Sequence, residues 1–72
     1  MQQIYIAPNG FADVLQSGSH SYRVRSRIRG AWKLARGYHN DVNRAMDLAD
    51  SADNAIAREL ASRQLFRRIV RR

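Results

Sequence analysis

The C-terminal stretch from Asn40 to Arg72 contains neither glycine nor proline, and this constrains the fold more than any other feature. Alanine, the strongest helix former, occupies six of its positions. Asn40 has a short side chain that can cap a helix, and Asp41 places a negative charge beside it. Arginines lie at the opposite end, so the charges at both ends suit the helix dipole. The stretch predicts one long helix over 40–71.

The segment from Tyr22 to Arg36 is compatible with two structures. Polar and apolar residues alternate from Tyr22 to Arg29, as is typical of a half-buried strand. In a helix, however, Val24, Ile28 and Trp32 share one face, and this pattern continues beyond Gly30, where the alternation stops. We therefore expect a helix over 22–36 and keep the strand as the alternative. A short connection to the long helix would make the two helices antiparallel neighbours.

The N-terminal part predicts shorter elements. Residues 1–10 contain a β-like run that ends at Pro8-Asn9-Gly10, a strong turn signal, and they predict an extended arm or strand. Phe11, Val14 and Leu15 have the i, i+3, i+4 spacing of a short helix over 11–17, which Gly18 would end.

The expected fold is therefore a single small domain, 1–72, of the mainly α class. It consists of the extended arm or strand, the short helix, and an antiparallel helical hairpin with a long C-terminal helix. The alternative is an α+β fold in which Tyr22–Arg29 is a strand.

The hairpin predicts both a core and a second apolar surface. Trp32 is the expected anchor between the two helices, because it is the largest apolar side chain on the shared face. The predicted core residues are Val24, Ile28, Trp32, Val42, Met46, Ala49 and Ile56. Past Leu60 the apolar residues rotate to a different face, which extends beyond the first helix. We expect a partner or oligomer interface there, formed by Leu65, Phe66, Ile69 and Val70.

Charge gives the main indication of function. The chain has thirteen basic and six acidic residues, which gives a net charge of +7, and twelve of the basic residues are arginine. Arginine forms two-pronged hydrogen bonds with phosphate, and a strongly basic chain attracts polyanions. The predicted nucleic-acid-binding residues are Arg25, Arg29, Lys33 and Arg36 on the helix over 22–36, and Arg63, Arg67, Arg68, Arg71 and Arg72 on the long helix. In the alternative, the first group pairs with Asp41, Asp47, Asp50 and Asp53 across the hairpin and is neutralised.

These features predict a small nucleic-acid-binding protein that makes mainly backbone phosphate contacts through arginines. Nothing in the chain distinguishes DNA from RNA or indicates sequence specificity. The alternative is a non-enzymatic protein-interaction or assembly component, such as a minor virion or scaffold protein or a small inhibitor. It would bind an acidic protein surface through the overhanging part of the long helix, as a homo-oligomer or within a larger assembly. Membrane-surface binding by 63–72 is disfavoured because the basic, apolar segment is short.

Catalytic chemistry is not expected. The chain has no cysteine and two histidines, His20 and His39, each beside a loop. Its four glycines are scattered and form no phosphate-binding loop. We therefore predict no enzyme activity, no metal site and no cofactor. The absence of a secretion-signal pattern and of a long apolar run predicts a cytoplasmic or intracellular protein, with virion association as one possibility.

Overall fold

A computed structural model describes the backbone of residues 1–70 and the side chains of residues 1–64. The strands are β1 (Gln2–Ile6), β2 (Ala12–Gly18), β3 (Ser21–Ile28) and β4 (Ala31–Leu34), and the helix is α1 (Val42–Val70). The strands form an antiparallel sheet in the order β1-β2-β3-β4, so each strand pairs with its neighbour in sequence. The described chain is thus a β-meander followed by a long helix.

The predicted mainly α fold with a helical hairpin is wrong. The segment expected to be a short helix over 11–17 forms β2, and the segment expected to be a basic helix over 22–36 forms β3 and β4. The alternative, with Tyr22–Arg29 as a strand, agrees with β3. The alternating pattern of this segment prevails because β3 lies between two other strands, and each of its faces meets a different environment.

The tight turn between β3 and β4 explains why the helix pattern failed. Ile28 pairs with Ala31, so the loop has two residues, Arg29 and Gly30. Both have positive φ, 53° and 81°, as in the type I′ turn that matches the twist of a β-hairpin. Gly30, which would be unfavourable within a helix, is suited to this position because glycine readily adopts positive φ.

The first turn and the long helix lie where the sequence places them. The backbone N–H of Gly10 donates to the carbonyl of Ala7 at 2.9 Å, and Gly10 has a φ of 78°, so the chain reverses at Pro8-Asn9-Gly10. The predicted long helix corresponds to α1. Its N-cap is Asp41 rather than Asn40, because Asp41 Oδ1 accepts the backbone N–H of Asn43 at 2.9 Å.

The core lies between α1 and one face of β2 and β3. Alanines of the helix meet small and β-branched residues of the sheet, which lets the backbones approach closely. The buried cluster consists of Ala7, Ala12, Val14, Val24, Ala45 and Ala49. A core of this size stabilises a fold only modestly, so polar contacts between the elements carry part of the stability.

The predicted core residues divide between this cluster and the surface. Val24 and Ala49 belong to the cluster, and Met46 packs against it. Val42 and Ile56 are half-buried. Trp32 is 37% exposed and Ile28 is 43% exposed. The prediction that Trp32 anchors the core is therefore wrong, because its strand position turns the side chain away from α1.

Candidate nucleic-acid interface

The face of the sheet turned away from α1, termed the open face, carries a row of arginines. Val24 of β3 points into the core, so its alternating neighbours Arg23, Arg25 and Arg27 point to the opposite side. β4 adds Trp32 directly opposite Arg27 and Leu34 directly opposite Arg25. The open face therefore presents three cations beside an exposed tryptophan.

Arg25 is held by contacts on two sides. Its Nε and Nη2 donate to the two carboxylate oxygens of Asp13, at 3.0 and 2.5 Å, and Asp13 is completely buried. Gln3 also donates to this carboxylate, at 2.7 Å. The Arg25 guanidinium lies 4.5 Å from the ring centroid of Trp32. The hydrogen bonds to Asp13 raise the pKa of Arg25 despite its partial desolvation. The group is thus fixed in orientation, with Nη1 outside the bonds to Asp13.

Arg23 is ordered in a similar way at the next position of the row. Its Nη2 donates to the carbonyl of Ala35 at 2.9 Å, and its guanidinium lies 4.8 Å from the ring centroid of Tyr38. Its Nε is buried and has no hydrogen-bond partner within the part of the chain that the structure describes. The row therefore combines two arginines stacked on aromatic rings with the exposed Arg27.

The alternative expected from sequence, in which aspartates of the long helix neutralise Arg25, Arg29, Lys33 and Arg36, is not observed among the described side chains. Among the side chains of residues 1–64, the ion pairs are Arg25–Asp13 and Arg63–Glu59. Asp50 instead accepts the hydroxyl of Tyr5 at 2.6 Å, and this bond raises the pKa of Tyr5. For Arg25 the physical reason is topological, since α1 lies on one side of the sheet and Arg25 lies on the other.

The first predicted cluster of cations does not form one ridge. Arg25 lies on the open face, whereas Lys33 pairs with Ser26 and so belongs to the helix-side face of β4. Arg29 occupies the tip of the β3–β4 turn, and Arg36 lies in the exposed loop after β4. The four side chains would share one face only if the segment were a helix. In the observed strands and loops they lie on different sides of the sheet or at its ends.

The second predicted cluster is mostly beyond the described side chains. Arg63 is exposed and donates to Glu59 at 2.6 Å. The remaining predicted residues lie outside the described side chains: Arg67, Arg68, Arg71 and Arg72 of the basic cluster, and Leu65, Phe66, Ile69 and Val70 of the partner interface.

Sequence reasoning missed four residues of the open face. Arg23, Arg27 and Tyr38 were left out of the predicted site, and Trp32 was assigned to the core. The signal was present in the alternation of Arg23, Arg25 and Arg27 with smaller residues, which a strand converts into a single charged face.

The described residues show neither a metal-binding cluster nor a membrane-spanning helix. Within them, no three His, Cys, Asp or Glu side chains are grouped so that they could hold a metal ion. The described part of α1 has no apolar segment long enough to cross a membrane. Comparison of the chain with protein-family models, curated proteins and solved structures gives no match.

Proposed function

We propose that this protein binds nucleic acid through the open face of its sheet, with arginines contacting mainly phosphate groups. The observation that carries the proposal is the row of Arg23, Arg25 and Arg27 on one side of β3, away from the aspartates of α1. Alternate residues of a strand are roughly 7 Å apart, so the row extends over roughly 13 Å. This length allows several phosphates of one backbone to be contacted together.

The local charge supports a polyanionic ligand. Between Asp13 and Asp41 the chain has six basic residues and no acidic one. Of the six acidic residues in the whole chain, five accept hydrogen bonds within the fold: Asp13, Asp41, Asp50, Asp53 and Glu59. Asp13 offsets the charge of Arg25, and the remaining cations of the row and of the adjacent hairpin leave an excess of positive charge that favours phosphate binding.

The aromatic rings prepare the arginines for binding. A guanidinium that is already stacked on Trp32 or Tyr38 has lost much of its rotational freedom before the ligand arrives. Ordering a long side chain otherwise costs about 0.5–1.5 kcal/mol on binding. The stacked pairs thus favour firm contacts to a backbone over loose electrostatic association.

The proposal is tested by measuring the affinity of a labelled duplex and of a labelled single strand across a salt series, by fluorescence anisotropy. We expect log Kd to depend linearly on log salt, with a slope of about 0.9 for each phosphate neutralised on a duplex. Arg27→Gln should weaken binding and lower the slope by about one, because Arg27 contacts phosphate without holding the fold together.

The matched control is Arg58→Gln, which removes an exposed arginine of α1 on the opposite side of the sheet. It should leave both the affinity and the slope close to those of the unmodified protein. An equal loss in the two variants would show that only the net charge matters, and no binding at low salt would refute the proposal.

A further inference from the structure

A groove lies on the opposite side of the sheet from most of the arginine row, between the β3–β4 turn and the second half of α1. Its volume is about 450 Å³, within the range of clefts that hold a ligand. Phe11 and Ile28 form the sheet side of an apolar floor, and Ile56 and Leu60 form the helix side. Arg29 and Arg63 also line the groove, and because both are exposed they are termed its rim.

We propose that this groove binds an acidic, amphipathic helical segment of a partner protein. Large apolar side chains of the segment would cover the floor, and its carboxylates would meet the arginines of the rim. Helices commonly bind in this way, with apolar residues at i, i+3, i+4 and i+7 entering a groove. The binding site shares only Arg27 with the proposed nucleic-acid contacts and does not depend on them.

The apolar floor is incompletely covered by the chain that the structure describes. Ile28 is 43% exposed and Leu60 is 38% exposed, although both line the same groove. A sugar–phosphate backbone offers much less apolar surface to cover these side chains than the apolar face of a helix does. A partner with its own apolar face removes them from water and gains the corresponding hydrophobic free energy.

Charge complementarity selects an acidic partner. Arg29 makes no ion pair among the described side chains, and the one carboxylate of the groove, Glu59, is already paired with Arg63. A second copy of this chain carries a net charge of +7 and is repelled at long range. A segment rich in glutamate or aspartate supplies the missing negative charge and is steered towards the rim.

Arg27 marks the boundary between the two surfaces, since it belongs to the open-face row by strand register and also lines the groove. The remaining groove residues come from the turn, from Phe11 and from α1. A protein segment in the groove and a nucleic acid on the open face would therefore occupy mostly different residues.

The probe for this proposal is a dye-labelled synthetic helix of about 15 residues, with leucines at i, i+3, i+4 and i+7 and glutamates on the opposite side. Its affinity for the full chain is measured by fluorescence anisotropy. A peptide of the same composition with the leucines rearranged removes the apolar stripe, and a peptide with lysine in place of glutamate reverses the charge. We expect binding of the first peptide only.

Leu60→Ser should weaken this binding about tenfold, because it removes most of a large apolar contact. The matched control is Leu48→Ser, since Leu48 is also 38% exposed on α1 but does not line the groove. Arg29→Gln gives an independent check and should reduce the salt dependence of the affinity. Thermal melts establish that each variant is folded.

Four results would overturn the proposal. The first is no binding of the acidic amphipathic peptide, and the second is equal binding of the rearranged peptide. The third is the same affinity in Leu60→Ser and Leu48→Ser, which would mean that the peptide associates by charge alone. Displacement of the peptide by duplex DNA, together with weaker DNA binding by Leu60→Ser, would assign the groove to nucleic acid and would also refute it.

Discussion

Asp53 of α1 accepts the backbone N–H of Phe11 at 2.7 Å, across 42 positions of sequence. The same carboxylate accepts the backbone N–H and the side-chain amide of Asn9, at 3.0 and 2.9 Å, and it is completely buried. One helix side chain therefore satisfies two backbone donors of the β1–β2 turn. These bonds join the helix to the first hairpin and add to the stability that the small apolar core provides.

Replacement of Asp53 by asparagine should lower the free energy of unfolding by about 2–3 kcal/mol. An amide has one acceptor oxygen in place of two, so at least one buried N–H loses its partner, and each such loss costs about 1–3 kcal/mol. Urea denaturation at neutral pH measures the change. Asp47→Asn, on an exposed position of the same helix, should change stability by less than about 0.5 kcal/mol. Equal effects would contradict the role assigned to Asp53.

Asp53 should also contribute to acid unfolding. Burial alone raises its pKa, but the hydrogen bonds from Asn9 and Phe11 outweigh burial and hold the pKa below its ordinary value. Because the pKa is lower in the folded state, this contribution to stability is complete above the unfolded-state pKa of about 3.9. It is lost as the pH falls through the folded-state value. Denaturation curves between pH 6 and 3 should therefore show a steeper loss in the unmodified protein than in Asp53→Asn.

Substitutions at the two residues of the β3–β4 turn should change the free energy of unfolding in opposite directions. Arg29 has a left-handed φ of 53°, which costs about 1–2 kcal/mol for a residue with a bulky side chain. Arg29→Asn should raise the free energy of unfolding by about 0.5 kcal/mol, since asparagine tolerates this conformation. Gly30→Ala should lower it by about 1 kcal/mol through backbone strain alone, because an added Cβ at Gly30 has no atom within 4 Å. Thermal melts of both variants test the assignment of this turn.

The loss of stability in Trp32→Ala distinguishes the observed fold from a helical hairpin. Removing a buried tryptophan anchor would cost about 3–5 kcal/mol, and this is the expectation for the hairpin. Trp32 is 37% exposed on the open face, so we expect a loss below about 2 kcal/mol and a folded protein. Nucleic-acid binding should weaken because the Arg25 guanidinium loses its aromatic support. A variant that binds normally would show that the stacked pair has no part in recognition.

The long helix was predictable because its determinants are local. Alanine content and the absence of glycine and proline from Asn40 to Arg72 are sufficient to indicate it. The turn at Pro8-Asn9-Gly10 was predictable for the same reason.

The sheet was not predictable in this way, since Phe11, Val14 and Leu15 have helical spacing by chance. Their strand structure is fixed by pairing with β1 and β3, which are separate segments of the chain. The site was missed for a related reason. Sequence reasoning recognised that arginines were concentrated in 22–36, but their common face depends on whether the period is two or 3.6 residues. The bonds of Asp53 to Asn9 and Phe11 join distant positions and leave no local pattern.

The ion pair between Arg25 and Asp13 allows stability and binding to be separated. Arg25→Gln leaves the buried Asp13 carboxylate without its cation and should cost about 3 kcal/mol or more. Adding Asp13→Asn removes the uncompensated charge, so the double variant should recover most of the lost stability. Nucleic-acid affinity should remain reduced in the double variant, because the guanidinium is still missing from the row. Urea denaturation and anisotropy on the same samples give both quantities. If the double variant recovered full affinity as well as stability, Arg25 would stabilise the fold without contacting phosphate. The phosphate contacts of the row would then be made by Arg23 and Arg27.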